Sequence, residues 1–288
     1  MQVSKTASVL VQLVAYAIAI TVAVTVWQLT PQLDDLWRLA VADFAATAFI
    51  FLCSVVFNNS SMYDPYWSVK PAVIASGYAM LFGLNELPAI LLFMLMMLYN
   101  LRLTSNFFRD WPGLKHEDWR YKNFREQFPK AYWLVSFAGI HLFPTIMVYL
   151  ACLPLYFGMK ASFEMNWLGW LGILVTVAAI VIAYVADEQM RSFRKNPLNK
   201  GKNMNDGLWK HSRHPNYFGE MMTWWGIYFV ALNLSLDLWW TGIGALAITL
   251  MFMFVSIPLM DKRSLQNRAG YEELMNRTRA FLPFPKKM

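Results

Sequence analysis

The chain has 288 residues, 57% hydrophobic and 15% charged, with a formal net charge of +7 and a mean hydropathy of +0.35. Such an apolar excess excludes an ordinary soluble or disordered chain, and 14 Gly, 13 Pro and two Cys exclude collagen-like and disulfide-scaffold classes. The basic excess does not form a nucleic-acid stripe, because Lys and Arg are interleaved with Asp and Glu beside apolar runs, where anionic lipid head groups explain much of it.

In chain order, apolar windows predict spans near 9–29, 39–57, 69–84, 88–101, 132–157, 167–186, 217–234 and 239–260. The third and fourth are short, and Asn85, Glu86 and Pro88 break the stretch between them. The expected fold is therefore an all-α, polytopic transmembrane bundle of seven or eight spans. Nothing before Val9 resembles a cleavable signal, so the first span is expected to stay as an anchor. With eight spans, all Lys and Arg except Arg38 and Lys160 fall on one side, in the N-terminus, around Lys70 and in 102–131, 187–216 and 261–288. The positive-inside rule assigns that side, with both termini, to the cytoplasm. Cys53 and Cys152 sit in apolar runs and read as packing.

The densest polar stretch follows the sixth predicted span. Asp187, Arg191 and Arg194 stand at spacings of four and three, so they share a helix face that suits a phosphate or ribose, or equally a salt-bridge cluster at the head groups. Then comes Arg213-His214-Pro215-Asn216-Tyr217, with Glu220 one turn beyond Asn216 on the same face. A carboxylate entering the membrane is expensive, which makes Glu220 a site candidate, and Pro215 suits a helix start whose free N–H groups favour an anion. His116, His141, His211 and His214 fit no metal-ligand spacing, and no CxxC, HExxH, Walker loop, nucleophile elbow or strand-linked GxGxxG is present. Arg109, Asp110, Arg120, Lys122 and Arg125 form a charged loop that is either solvated or able to grip phosphates, and Trp224 and Trp225 beside Glu220 are either belt residues or flank a flat ring.

Residues 187–220 resemble the C-terminal region of the steroid 5-alpha-reductase family, and Arg213 to Tyr217 is similar to the sterol C14 and C7 reductases. The likeness continues through Asp261-Lys262-Arg263, Gly270-Tyr271-Glu272-Glu273 and Arg279-Ala280-Phe281-Leu282-Pro283-Phe284, and fades toward the N-terminus. The resemblance implies an NADPH-dependent membrane reductase acting on the double bond of an α,β-unsaturated carbonyl lipid. It implies that Asp187, Arg191, Arg194, Arg213, His214, Asn216, Tyr217 and Glu220 line the cofactor pocket, with Asp261, Arg263 and Tyr271 in a tail that closes over it. Upstream, Tyr99 matches the family tyrosine proposed to polarise the substrate carbonyl, with Arg102 nearby on the cofactor side. The family's Gln-Glu pair is missing here; Asp64 stands at about the right separation and is taken in its place. In this reading, residues 1–131 hold N-terminal spans that shape the substrate cavity and 132–288 the cofactor-binding region of a single membrane domain.

The rival class is an S-adenosylmethionine-dependent methyltransferase of isoprenylcysteine carboxyl methyltransferase type, since Arg213 to Gly219 fits both. Asn216, the Asp187/Arg191/Arg194 face and the Asp206-Gly207-Leu208 lead-in favour the reductase. A transporter or binding scaffold has only Asp43, His141 and the break at Asn85–Pro88 as hints. The expected partners are a lipophilic small-molecule substrate and membrane lipids, with no nucleic acid and no metal. A monomer is expected, in a bacterial inner membrane or the endoplasmic reticulum.

Overall fold

A computed structural model describes residues 4–281. It is 81% helix, and no strand occurs among the described residues. In chain order the helices are α1 (Lys5–Leu29), α2 (Asp35–Val56), α3 (Tyr66–Phe82), α4 (Leu87–Asp110), the short α5 (Trp119–Gln127), α6 (Tyr132–Lys160), α7 (Trp167–Lys195), α8 (Pro215–Leu234), α9 (Leu236–Asn267) and the short α10 (Tyr271–Arg277). Their starts follow local rules. Ser4 Oγ accepts from Ala7 N, Asp118 from Arg120 N and Asn166 from Leu168 N, each satisfying an amide that the first helical turn leaves open.

Six helices, α1, α2, α4, α6, α7 and α9, are long and apolar enough to cross a bilayer. Leu10, Leu13 and Val14 on α1 and Leu174 and Val181 on α7 stand exposed, as side chains facing lipid do. The protein is thus an integral membrane protein. Six is fewer than the seven or eight predicted, for reasons of length and polarity. Helix α3 has 17 residues and carries Lys70 and Pro71, and α8 carries Asn216, Glu220 and Asn233 among its 20.

Two of the long helices contain one widened turn each, at Ser136–Leu142 in α6 and Phe252–Ser256 in α9. Each is followed directly by a proline, Pro144 or Pro258, in the next turn. A helical proline lacks an N–H and crowds the carbonyl four residues back, and a wide turn relieves both problems.

The chain forms two compact units. The first comprises residues up to Leu81 together with Met96–Cys152, and the second Phe82–Leu95 together with Leu153 onward. The core of the first unit is unusually polar. Lys70 Nζ donates to Asp43 Oδ2 at 2.9 Å and to the Thr145 carbonyl at 2.8 Å, with both ionic side chains about 95% buried. Glu117 is a second hub, accepting from Ser60 N at 2.9 Å and from Arg125 Nε at 2.8 Å.

The second unit is organised by a close seam between α7 and α8. A Cβ added at Gly219 would meet the Ala179 carbonyl at 2.6 Å, and one at Gly226 the Gly172 carbonyl at 2.7 Å. Small residues let the two backbones touch, which is how membrane helices gain dispersion energy where lipid offers no hydrophobic drive.

Candidate functional site

The α7–α8 seam sets Asp187, near the end of α7, against the first turn of α8. Asn216 Nδ2 donates to Asp187 Oδ1 at 3.3 Å. Asn216 Oδ1 is buried and receives no hydrogen bond among the described residues. One turn along the same face, Glu220 is 5% exposed. A buried carboxylate and a buried, half-used amide thus share one face of a helix entering the membrane.

The loop that follows α7 is tied back to another face of that helix. Gly207 adopts φ +57°, and a side chain there would run into Gln189. Gln189 Oε1 accepts from Leu208 N at 3.0 Å, and Trp209 Nε1 donates to the Ala186 carbonyl at 3.0 Å. A cleft of about 530 Å³ opens here, lined by Tyr184, Glu188, Gln189, Phe193, Asp206 and Gly207 among others. On the α7 face, Arg191 is buried and paired with Glu188 one turn earlier, whereas Arg194 is exposed.

Arg213 and His214 turn toward a different partner. Arg213 Nη2 donates to Asp261 Oδ2 at 2.7 Å, His214 Nε2 lies 2.9 Å from Asp261 Oδ1, and Tyr271 donates its phenol to that same oxygen. The Tyr217 ring stacks on His214 at 5.2 Å with planes 8° apart. Burial and the Asp261 carboxylate raise the Tyr271 phenol to about 12. Arg263 is exposed on the opposite side of α9 from Asp261. Of the expected tail motif, Arg279–Phe281 are described, and Leu282, Pro283 and Phe284 lie outside the described residues. Trp224 is buried, and Trp225 Nε1 donates to Thr249 Oγ1 at 3.0 Å.

The remaining candidates belong to the first unit. Asp64 accepts from Tyr121 and lies 3.9 Å from Arg120 Nη2. Burial pushes its carboxyl up to about 6, against the opposing pull of Arg120. Tyr99 is buried on α4, with the Arg102 guanidinium 5.8 Å from its ring centroid. In the charged loop, Arg120 is held by Asp118 at 2.7 Å and Arg125 by Glu117.

Sequence spacing puts Asp187 with Arg191 and Arg194 on one face of α7 and Asn216 with Glu220 on one face of α8; the contact between Asp187 and Asn216 lies beyond its reach, as do two further features. One is Asp261 as the common partner of Arg213, His214 and Tyr271; the other is Ser212, fully buried beside them. The available signal was a run of Arg and His with no nearby counter-charge, which says that a carboxylate must come from elsewhere without saying which.

Comparison with known proteins adds a family match. The family described as protein of unknown function DUF1295 matches residues 50–278. An uncharacterized protein of Schizosaccharomyces pombe is 26% identical over 258 residues, covering 80% of this chain and 74% of that one. No solved structure matches significantly.

Proposed function

The chain belongs to the DUF1295 family, and on the polar face of its α7–α8 seam we propose that it is an NADPH-dependent membrane reductase of α,β-unsaturated carbonyl lipids. The observation that carries this reading is Asn216, whose Nδ2 is engaged by Asp187 while its Oδ1 is buried without a donor. A buried acceptor in that condition costs about 1–3 kcal/mol. A primary carboxamide such as that of nicotinamide supplies the missing N–H, and Glu220 accepts another. These residues therefore fit the nicotinamide end of the cofactor. Asp187 suits a ribose hydroxyl, and Arg191 and Arg194 suit phosphate. The resemblance of residues 187–220 to the steroid 5-alpha-reductase family points the same way.

Bound there, NADPH supplies a hydride to the substrate β carbon. Asn216 and Glu220 orient the amide and thereby the ring. The buried Trp224 on the adjacent turn keeps water from the seam. The resemblance alone gives Tyr99 the role of donor to the substrate carbonyl, where negative charge would develop and a donor in a dry site would be worth about 3 kcal/mol. Asp64 as partner of that tyrosine rests on sequence separation alone.

The same reading requires the polar segments to share one side of the membrane, and contacts within each unit support eight crossings. Lys5 Nζ donates to the Arg109 carbonyl, and Asp118 N to Ser61 Oγ. Both contacts need an even number of crossings between the segments they join, so α3 crosses along with α4. Arg213 N likewise donates to the Arg279 carbonyl, so α8 crosses along with α9. At about 1.5 Å per residue, the 20 residues of α8 reach roughly 30 Å, the thickness of a hydrocarbon core. The basic loops then mark the cytoplasmic side.

One observation favours the methyltransferase reading: Arg213 is occupied by Asp261, and S-adenosylmethionine has no bisphosphate to demand it. Turnover decides between them. Detergent-purified protein is expected to oxidise NADPH in the presence of a lipophilic enone and to lose that activity as Tyr99→Phe. Methyl transfer from S-adenosylmethionine without NADPH oxidation would overturn the reductase.

A further inference from the structure

Three buried donors from two stretches of chain, Arg213 and His214 on one and Tyr271 on the other, converge on the Asp261 carboxylate. Arg213 contributes Nη2 at 2.7 Å and Nε at 3.4 Å, His214 contributes Nε2 at 2.9 Å, and Tyr271 its hydroxyl. The Arg213, His214 and Asp261 side chains are each under 10% exposed. The remaining terminal nitrogen of Arg213, Nη1, donates to the main-chain carbonyls of Thr278 at 2.5 Å and Met275 at 3.4 Å, at the end of α10. The end of a helix carries the negative end of its dipole, so a guanidinium suits these carbonyls. All three guanidinium nitrogens are thereby engaged within the protein.

The backbone closes around this cluster. Arg213 N donates to the Arg279 carbonyl at 3.0 Å, and Ser212 Oγ faces the Ala280 and Phe281 carbonyls at 3.2 and 3.0 Å. His214 N returns to Ser212 Oγ at 3.1 Å. His214 is also the residue that caps α8, yet its side chain makes no cap hydrogen bond. Helix α8 therefore begins without the usual side-chain anchor, and its entry is held by Asp261 through His214 and Arg213.

We propose that Asp261 is a positioning residue that rivets the tail to the start of α8 and so fixes where Asn216 and Glu220 stand. Arg213 and His214 are parts of this rivet and not ligands of a phosphate. The rivet stands on the geometry alone; its effect on cofactor affinity rests on the reductase reading, so the two are measured separately.

Hydrogen–deuterium exchange of the full chain in detergent, compared among the parent, Tyr271→Phe and Asp261→Asn, reads the rivet. Tyr271→Phe removes one donor and no charge, which keeps the test open if Asp261→Asn fails to fold. Exchange at the Arg213 and Phe218 amides is expected to rise about tenfold in Tyr271→Phe and more in Asp261→Asn. Unchanged exchange at both amides overturns the proposal. NADPH titration of the melting temperature then reads the consequence. The apparent dissociation constant is expected to rise about tenfold in Asp261→Asn and no further in Asp261→Asn with Arg213→Gln, because both changes break one unit. Additive losses would make Arg213 a direct phosphate ligand and overturn its place in the rivet. If NADPH leaves the parent's melting temperature unmoved, the reductase reading fails, and the exchange rates still decide the rivet.

Discussion

Among single residues, the polar atoms of the α7–α8 seam are held in places where water does not reach them. Glu220→Gln or Asn216→Ala is expected to lower turnover by about 100-fold, the effect of removing one donor or acceptor from a preorganised site, while the melting temperature stays near the parent's. Full activity in either variant contradicts the assignment of the seam. Asp64 makes an independent prediction through pH. Its folded-state pKa of about 6 lies above the ordinary value near 3.9. Its favourable contribution is therefore complete below pH 4 and is lost as pH rises through 6, where a buried carboxylate must ionise. Asp64→Asn removes that ionisation and should gain on the order of 2–3 kcal/mol over the parent at neutral pH. Melting curves at pH 4.5 and 7.5 check this, and an equal difference at the two pH values contradicts it. Sequence spacing made the shared face of Asn216 and Glu220 legible because that rule acts within one helix. Asp187 lies 29 positions from Asn216, and Asp261 lies 48 from Arg213, and no local rule reaches so far.

Helices are the scale at which the sequence was most readable, since apolar length is a strong signal and lipid leaves the backbone few choices. The unreadable part was how the helices pair. The α7–α8 seam depends on Gly219 and Gly226 meeting backbone carbonyls, and nothing in a hydropathy window distinguishes those glycines from others. Gly226→Val is expected to destabilise the protein by about 1–3 kcal/mol through overpacking, measured as a lower melting temperature; an unchanged value removes the seam as a determinant of the site. Lys70 illustrates a different loss of information. By composition it reads as a basic residue flanking a span, but α3 buries it against Asp43. Breaking such a pair from one side costs about 3–5 kcal/mol, whereas replacing both partners with apolar side chains is close to neutral. Lys70→Met should therefore melt well below the parent, and Lys70→Met with Asp43→Leu should recover most of the difference. A double variant as unstable as the single one contradicts the pairing. The widened turns in α6 and α9 were likewise hidden, although Pro144 and Pro258 marked where the helical ladder had to give.

For the whole molecule, the governing question is which segments share a side of the membrane. The proposed eight crossings would put Lys115, Lys200 and Glu272 on one side and Lys160 on the other. Single cysteines at those positions, in a background lacking Cys53 and Cys152, are expected to react with an impermeant maleimide from the same side for the first three only. Labelling of Lys200→Cys and Glu272→Cys from opposite sides would mean that α8 does not cross. Basic-residue counting leads to this proposed arrangement, because charge flanking a span is read locally; apolar length alone does not, because α8 carries Asn216, Glu220 and Asn233. The polar start of α8 is proposed to bind a nicotinamide cofactor. Its most direct test is the melting temperature of the detergent-purified chain with NADPH, NADH and S-adenosylmethionine side by side, since a ligand present at 100 times its dissociation constant stabilises the folded state by about 2.7 kcal/mol. NADPH is expected to stabilise the parent but not Glu220→Gln, and S-adenosylmethionine neither; stabilisation by S-adenosylmethionine alone would overturn the nicotinamide site.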